Sequence, residues 1–204
     1  MLSSEDHSPT AIPAESIRDD EKMPAPEVPI SYVIRDIVET IVLTLLAFWL
    51  AQSVIQGFRV TGPSMTPTLL DGQFLFVNKL GYFLEAPERG DIIVFWPPYE
   101  SEDRLIKRVI GIPGDEVAVH DQHVFVNGVE LDEPYINADP SYSGEWHVPE
   151  GEFFVLGDNR NSSYDGHNWT SFVPRDNIVG KAAIIYWPVP NWGLAPHVPI
   201  LADN

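Results

Sequence analysis

The sequence predicts a mainly β protein of coiled antiparallel sheets, preceded by one transmembrane helix. Three observations carry that expectation. A single long apolar run, IVETIVLTLLAFWLAQSVI from Ile37 to Ile55, contains one charge, Glu39. Beyond it, short apolar stretches recur between Gly, Pro and Asn-Gly punctuation, with few long amphipathic patterns. Nineteen prolines and fourteen glycines in 204 residues suit short strands joined by many turns.

Residues 1–29 are polar and include Pro9, Pro13, Pro24, Pro26 and Pro29. They offer too little apolar surface to order themselves and are expected as a disordered tail. Residues 30–56 are expected as the anchor. At about 1.5 Å per residue, an apolar run of this length approaches the roughly 30 Å of a hydrocarbon core. A buried core helix is the alternative reading. A cleavable signal peptide has a shorter apolar region behind a basic start, whereas this run follows an acidic tail. Arg18, Lys22 and Arg35 are the bases ahead of it, and they weakly favour an N-terminus on the inside.

Strands are expected over Phe74–Val77, Asp91–Phe95 and Leu105–Ile110, the last ending at Gly111 and a Pro113-Gly114 turn. Val117–Val119 and Val124–Val126 follow. Asn127-Gly128 then marks a tight hairpin toward Val129–Leu131. Glu152–Leu156 and Lys181–Trp187 complete a domain expected over 57–190, and residues 191–204 read as an irregular C-terminal tail.

Composition excludes some functions. The chain has no cysteine, so disulfides and Cys-based zinc or redox sites are ruled out. Net charge is −18, and no run of Lys or Arg exists to bind nucleic acid. The acidity favours solubility and repels anionic surfaces.

The chemistry-bearing stretch is Val60-Thr61-Gly62-Pro63-Ser64-Met65-Thr66-Pro67-Thr68-Leu69. Gly62 reaches backbone angles that strain other residues, and the two prolines fix the backbone around the serine. The result is a rigid turn presenting one hydroxyl just after the apolar run. A serine hydroxyl is a weak nucleophile and needs a base, here a histidine or a lysine. His7 and His197 fall in the expected tails. His120 and His123 flank a turn and, three apart on a strand, point to opposite faces, making a poor metal pair. His147 lies in a loop, and His167 follows Asp165-Gly166. In Leu105–Ile110, Leu105, Lys107 and Val109 share one strand face, while Ile106, Arg108 and Ile110 share the other. Lys107 between two aliphatic neighbours is either partly desolvated, which lowers its pKa, or an edge lysine with its head in water. The residues alone leave both open.

Ser64-Met65, Gly90-Asp91-Ile92-Ile93-Val94-Phe95, Lys107-Arg108-Val109-Ile110-Gly111-Ile112-Pro113-Gly114-Asp115 and Gly157-Asp158-Asn159-Arg160-Asn161-Ser162-Ser163-Tyr164-Asp165 occur in that order. Together, over about Arg35 to Trp187, they resemble the bacterial type I signal peptidases, and most closely the single-anchor Gram-positive, cyanobacterial and plastid members. The resemblance implies a membrane-anchored serine endopeptidase, N-terminus cytoplasmic and catalytic domain on the outer side of the plasma membrane. It implies Ser64 as nucleophile and Lys107 as general base, with no metal or cofactor. Ser163 is then expected to hydrogen-bond and orient Lys107, and Asp158 to pair with Arg108. Asp165 closes the supporting motif. Its partners are the lipid bilayer and exported preproteins whose signal peptides end in small residues, Ala-x-Ala being typical. Phe58, Val60, Met65, Leu69 and Ile106 are expected either to wall the substrate pockets or to belong to the core.

Two departures stand out. Some members have a serine two positions before the nucleophile, where this chain has Gly62. The family's Asp-Ser-Arg reads Asp165-Gly166-His167 here, exchanging a permanent charge for a titratable one. Two rival readings are a self-cleaving repressor-type protease, which needs a DNA-binding helix-turn-helix ahead of it, and a non-catalytic tethered β-domain. The apolar run argues against the first, and retention of both Ser64 and Lys107 against the second.

Overall fold

The computed structural model describes residues 29–200. Residues 1–28 of the expected N-terminal tail, and 201–204 at the other end, lie outside the described residues. The chain divides between Thr44 and Leu45 into two units.

Helix α1 runs from Ile30 to Val54. Thr40 and Thr44 donate their hydroxyls to the carbonyls one turn back, at 2.7 Å each, so neither interrupts the helix. Its Ile, Val, Leu and Phe side chains are exposed from Val33 to Leu50. Arg35, Asp36 and Glu39 occupy its first turns. Among the described residues, no helix is long and apolar enough to cross a membrane.

The mainly β expectation holds. Strand β1 (Ile55–Arg59) leads to β2 (Phe74–Asn78), the short helix α2 (Gly81–Leu84), β3 (Ile92–Phe95) and β4 (Leu105–Gly111). Strands β5 (Glu116–His120), β6 (His123–Val126), β7 (Val129–Glu130) and β8 (Gly144–His147) form a second sheet, in the order β7-β6-β5-β8. The chain then returns to the first sheet with β9 (Glu152–Leu156), β10 (Val173–Pro174), β11 (Ile178–Trp187) and β12 (Gly193–Leu194). The order there is β1-β2-β11-β3-β4-β9-β10, with β12 beside β11. Register shifts after Ala182 and Ile185 bend β11, and such bulges add twist and coil a sheet.

Strand β4 is central, between β3 and β9, and is buried on both faces apart from Leu105. Ile106 joins a core cluster with Val60, Met65, Leu69 and Ile92. Val109 joins another with Ile93, Phe95 and Val155. Asn127 and Gly128 have φ of 52° and 78°, the paired positive values of a two-residue hairpin turn. Asp121 and Gln122 do the same at 52° and 69°. His120 and His123 therefore face each other across that turn, not from opposite faces of one strand.

The segment expected as an irregular tail from residue 191 is irregular but packed. Ala195 and Ile200 are buried, and Val198 packs against the second sheet's core, giving these apolar side chains the cover that fixes the segment. His197 is tied into the large sheet by both ring nitrogens.

Asp115 holds the Pro113-Gly114 turn. It accepts two hydrogen bonds from Arg89 at 2.7 Å and one each from the Ile112 N–H and Asn127 Nδ2 at 2.9 Å. Burial acts to raise its pKa, and these donors outweigh burial and lower it. Its stabilisation is therefore full above the unfolded value of about 3.9 and lost as pH falls through the lower folded one. Asp115→Ala is expected to cost about 3 kcal/mol in urea melts at pH 7. The gap from wild type should narrow as the pH falls below about 4.

Candidate active site

The turn carrying Ser64 is held from below. Met65 and Leu69 are fully buried, and the Leu69 N–H donates to the Met65 carbonyl at 2.8 Å. Gly62 takes φ +84°, and its N–H donates to Asp71 at 2.9 Å. Pro63 accepts the Thr66 N–H at 3.0 Å. These bonds leave Ser64 at the apex, facing β4.

Lys107 is 3% exposed, and its Nζ donates to Ser64 Oγ at 2.7 Å. Burial lowers its pKa to about 8, against the opposing pull of the Asp165 and Asp158 carboxylates. The pair is thus a hydroxyl in contact with an amine whose neutral form is accessible near physiological pH.

A third segment closes on the serine's backbone. The Asn159 N–H donates to the Ser64 carbonyl at 3.0 Å, and Asn159 Nδ2 donates to the Pro63 carbonyl at 3.2 Å. Gly157 is there for space: a Cβ would lie 2.3 Å from Ser163 Oγ and 2.4 Å from the Ser64 carbonyl. Asp165 is fully buried, accepting the Gly157 N–H at 2.8 Å and His167 Nδ1–H at 2.7 Å. His167 thus meets Asp165 where an arginine is expected to, and its ring stacks on Tyr142 at 3.7 Å. Ser163 does not take its expected place. Its buried hydroxyl lies against Gly157 and has no hydrogen-bond partner, so no bond to Lys107 is made.

On the reverse face of β4, Arg108 is wholly buried. Nε and Nη2 donate to Asp158 at 2.9 and 2.7 Å, and Nη1 donates to the carbonyls of Gly90 at 2.9 Å and Pro196 at 3.3 Å. Its guanidinium lies 4.0 Å from the centre of the Tyr135 ring. Sequence reasoning missed Glu133, which pairs with Arg160 at 2.6 and 2.7 Å and accepts the Tyr135 hydroxyl at 2.7 Å. Arg160 Nε also donates to the Gly157 carbonyl at 3.1 Å, so this pair braces the turn behind Ser64. Arg160 lay within the motif, but Glu133 carries no local signal.

A groove of about 680 Å³ passes Ser64 and Lys107, walled in part by Phe58, Thr61, Trp96 and Arg104. Of the five expected pocket residues, Phe58 and Ile106 line it. Val60, Met65 and Leu69 do not: they are 0–1% exposed and pack inward, supporting the turn from the core. Trp96 and Arg104 were missed, and Arg104 lies over both the Phe58 and Trp96 rings. Among the described residues, no group of three or more His, Asp or Glu is placed to hold a metal.

The Arg160 side chain is 0% exposed. Removing its carboxylate leaves a buried guanidinium uncompensated, so Glu133→Ala is expected to cost about 3–5 kcal/mol in thermal or urea unfolding.

Residues 33–187 match the family model described as "Signal peptidase, peptidase S26". The chain is 46% identical over 156 residues to the "Probable signal peptidase I-2" of Synechocystis sp., covering 74% of this chain and 71% of that protein. It is 39% identical over 203 residues to "Signal peptidase I" of Leptolyngbya laminosa, covering 94% and 96%. It is 41% identical over 140 residues to the chloroplastic "Thylakoidal processing peptidase 1" of Arabidopsis thaliana, covering 63% and 41%. The matched span contains the Ser64 turn, β4 and the 157–165 segment, and the chain belongs to the signal peptidase family, peptidase S26.

Proposed function

We propose that this protein is a membrane-anchored serine endopeptidase that removes N-terminal signal peptides from exported preproteins, with Ser64 as nucleophile and Lys107 as general base. One observation carries the reading: a buried lysine amine in direct contact with a serine hydroxyl, at 2.7 Å, beside an open groove. Ser64 Oγ attacks the scissile carbonyl carbon while neutral Lys107 takes its proton. The leaving amine departs with a proton from Lys107, giving an acyl-enzyme. Lys107 then activates the water that hydrolyses it. The Ser64 N–H donates to the developing oxyanion, since Gly62 brings no hydroxyl. The reaction uses no metal or cofactor.

Substrate choice follows from the groove. Phe58, Ile106 and Trp96 give it bulky apolar walls, with Arg59, Glu102, Asp103 and Arg104 also lining it, and bulk at the walls supports short side chains before the cut, of the Ala-x-Ala kind. The anchor follows from α1. Past Glu39 the run to Ile55 is free of charge, and its large apolar side chains are exposed from Ile41 to Leu50. A surface of that kind needs a nonaqueous neighbour. In this reading residues 30–56 anchor the chain once in the plasma membrane, the N-terminus is cytoplasmic, and the catalytic domain from residue 57 is extracytoplasmic.

Ser64→Ala and Lys107→Ala are each expected to abolish cleavage of a preprotein in detergent, and the double variant should lose about as much as either. Because burial lowers the Lys107 pKa to about 8, its neutral fraction grows with pH up to that value. kcat/KM should rise about tenfold per pH unit below it and level off above it. His167→Ala should keep that limb. Turnover in Lys107→Ala, or loss of the limb in His167→Ala, sinks the assignment.

The anchor has a separate test. Full-length protein should resist alkaline carbonate extraction from membranes, whereas a chain starting at Gly57 should be soluble and still cleave a soluble peptide. Release of the full-length protein by carbonate overturns the anchor.

A further inference from the structure

The ladder between β3 and β11 contains a side chain where a backbone pair is due. The two strands pair through Gly180↔Val94 and Lys181↔Ile93. The same register next brings Ala182 opposite Ile92, and that direct pair is not made. The His197 imidazole bridges it. Its Nδ1 accepts the Ile92 N–H at 3.1 Å, and its Nε2 bonds the Ala182 carbonyl at 2.7 Å. A backbone N–H only donates and a carbonyl only accepts. Both bonds are therefore satisfied by one form of the ring, neutral with its proton on Nε2.

The position of this bridge matters. Ile92 pairs with Arg108, and Ile93 with Lys107. The bridge therefore lies one residue from the cross-strand partner of the catalytic lysine. The same segment touches β4 and its approach twice more. The Pro196 carbonyl accepts Arg108 Nη1, and the Val198 carbonyl lies where a Cβ on Gly90 would come within 1.7 Å of it. Gly90, at φ +91°, is thus what lets the segment lie this close.

We infer that His197 is a positioning residue: its neutral ring splices the segment 195–200 into the ladder between β3 and β11 and so fixes the strand pair that carries Lys107. Only the kinetic arm below rests on Lys107 being the general base.

A protonated ring presents an N–H to the Ile92 N–H and loses that bond. The groups around the ring set when this happens. Burial disfavours the cation most, and the bond to the Ala182 carbonyl favours it. Lys181 and Arg108 disfavour the cation, whereas Asp91, 3.7 Å away, favours it. Glu85, Glu88 and Arg89 line the same hollow of about 740 Å³ as the ring. The net shift is downward from 6.5. The splice is therefore at full strength above the unfolded value of about 6.5 and is lost as pH falls through the lower folded one.

The test uses the full chain in detergent, as wild type, His197→Gln and His197→Phe. A Gln amide can accept from Ile92 and donate to Ala182 without titrating. Amide exchange at Ile92, corrected for the intrinsic pH dependence, is measured at about pH 5 and pH 7. Wild-type protection should fall about tenfold or more at the lower pH, stay constant in His197→Gln, and be lost at both in His197→Phe. At pH 8, kcat on a preprotein should drop about tenfold in His197→Phe with KM within about twofold, and His197→Gln should recover most of it. Equal Ile92 protection in wild type and His197→Phe overturns the splice. So does wild-type protection that is flat with pH, a readout that stands even if His197→Phe does not fold. Lost protection with unchanged kcat overturns the positioning role, and His197→Gln behaving as His197→Phe overturns the hydrogen bonds as its cause. If the wild type cleaves no preprotein, the functional reading fails while the exchange arm still decides the splice.

Discussion

The structure depends on keeping one amine dry beside one hydroxyl. At pH 7 a lysine at its ordinary pKa of about 10.4 is neutral roughly once in 2,500 molecules. With Lys107 shifted to about 8, the neutral fraction is roughly one in eleven. The shift corresponds to about 3 kcal/mol of disfavoured ammonium, and here burial imposes it. That burial comes from β4 lying between β3 and β9 and from a serine turn whose Met65 and Leu69 are driven into the core.

Such an arrangement fails if nearby carboxylates are free to hold the ammonium. Asp158 and Asp165 both pull the Lys107 pKa upward. Each is already engaged. Asp158 takes two hydrogen bonds from Arg108, and Asp165 takes the Gly157 N–H and the His167 ring. Glu133 is likewise committed to Arg160. The buried ion pairs are therefore not chiefly a source of stability, since desolvation offsets much of their attraction. They hold these carboxylates in bonds to other donors while bracing the turn behind the serine. An arginine suits this because its five donors fix two carboxylate oxygens and carbonyls at once, as Arg108 does.

Much of this was legible in the sequence, for local reasons. The alternation in Leu105–Ile110 separates Lys107 from Arg108, and Asn127-Gly128 marks its own turn. The four motifs carry the family. The unread parts are those set by distant contacts. Asp121-Gln122 lacks the glycine that advertises a tight hairpin, so the turn between His120 and His123 is legible but not the register that sets the two side by side. Glu133 finds Arg160 at a separation of 27 residues, with no pattern around it. Val60, Met65 and Leu69 are apolar near a serine, and sequence alone does not tell a pocket wall from the core behind it. His197 was assigned to a tail because Pro-rich composition masks the apolar side chains, Ala195, Val198 and Ile200, that dock it.

The alternation of β4 also explains why chemistry and support can sit on adjacent residues without interfering. Successive side chains of a strand emerge on opposite faces. Lys107 faces the serine, and in the proposed mechanism its charge must be lost there for it to accept a proton. Arg108 faces Asp158, Tyr135 and the carbonyls of Gly90 and Pro196, where its charge is permanent and fully coordinated. A lysine at position 108 has neither the fork nor the number of donors to hold that set. An arginine at 107 stays charged in a protein and cannot take the proton of Ser64. The order Lys-Arg is thus dictated by which face needs a titratable cation and which a fixed one. A one-residue slip of β4 against β3 would exchange the two faces and abolish both roles. The pairing of Ile92 with Arg108 and Ile93 with Lys107 is therefore the part of the fold that the site can least afford to lose.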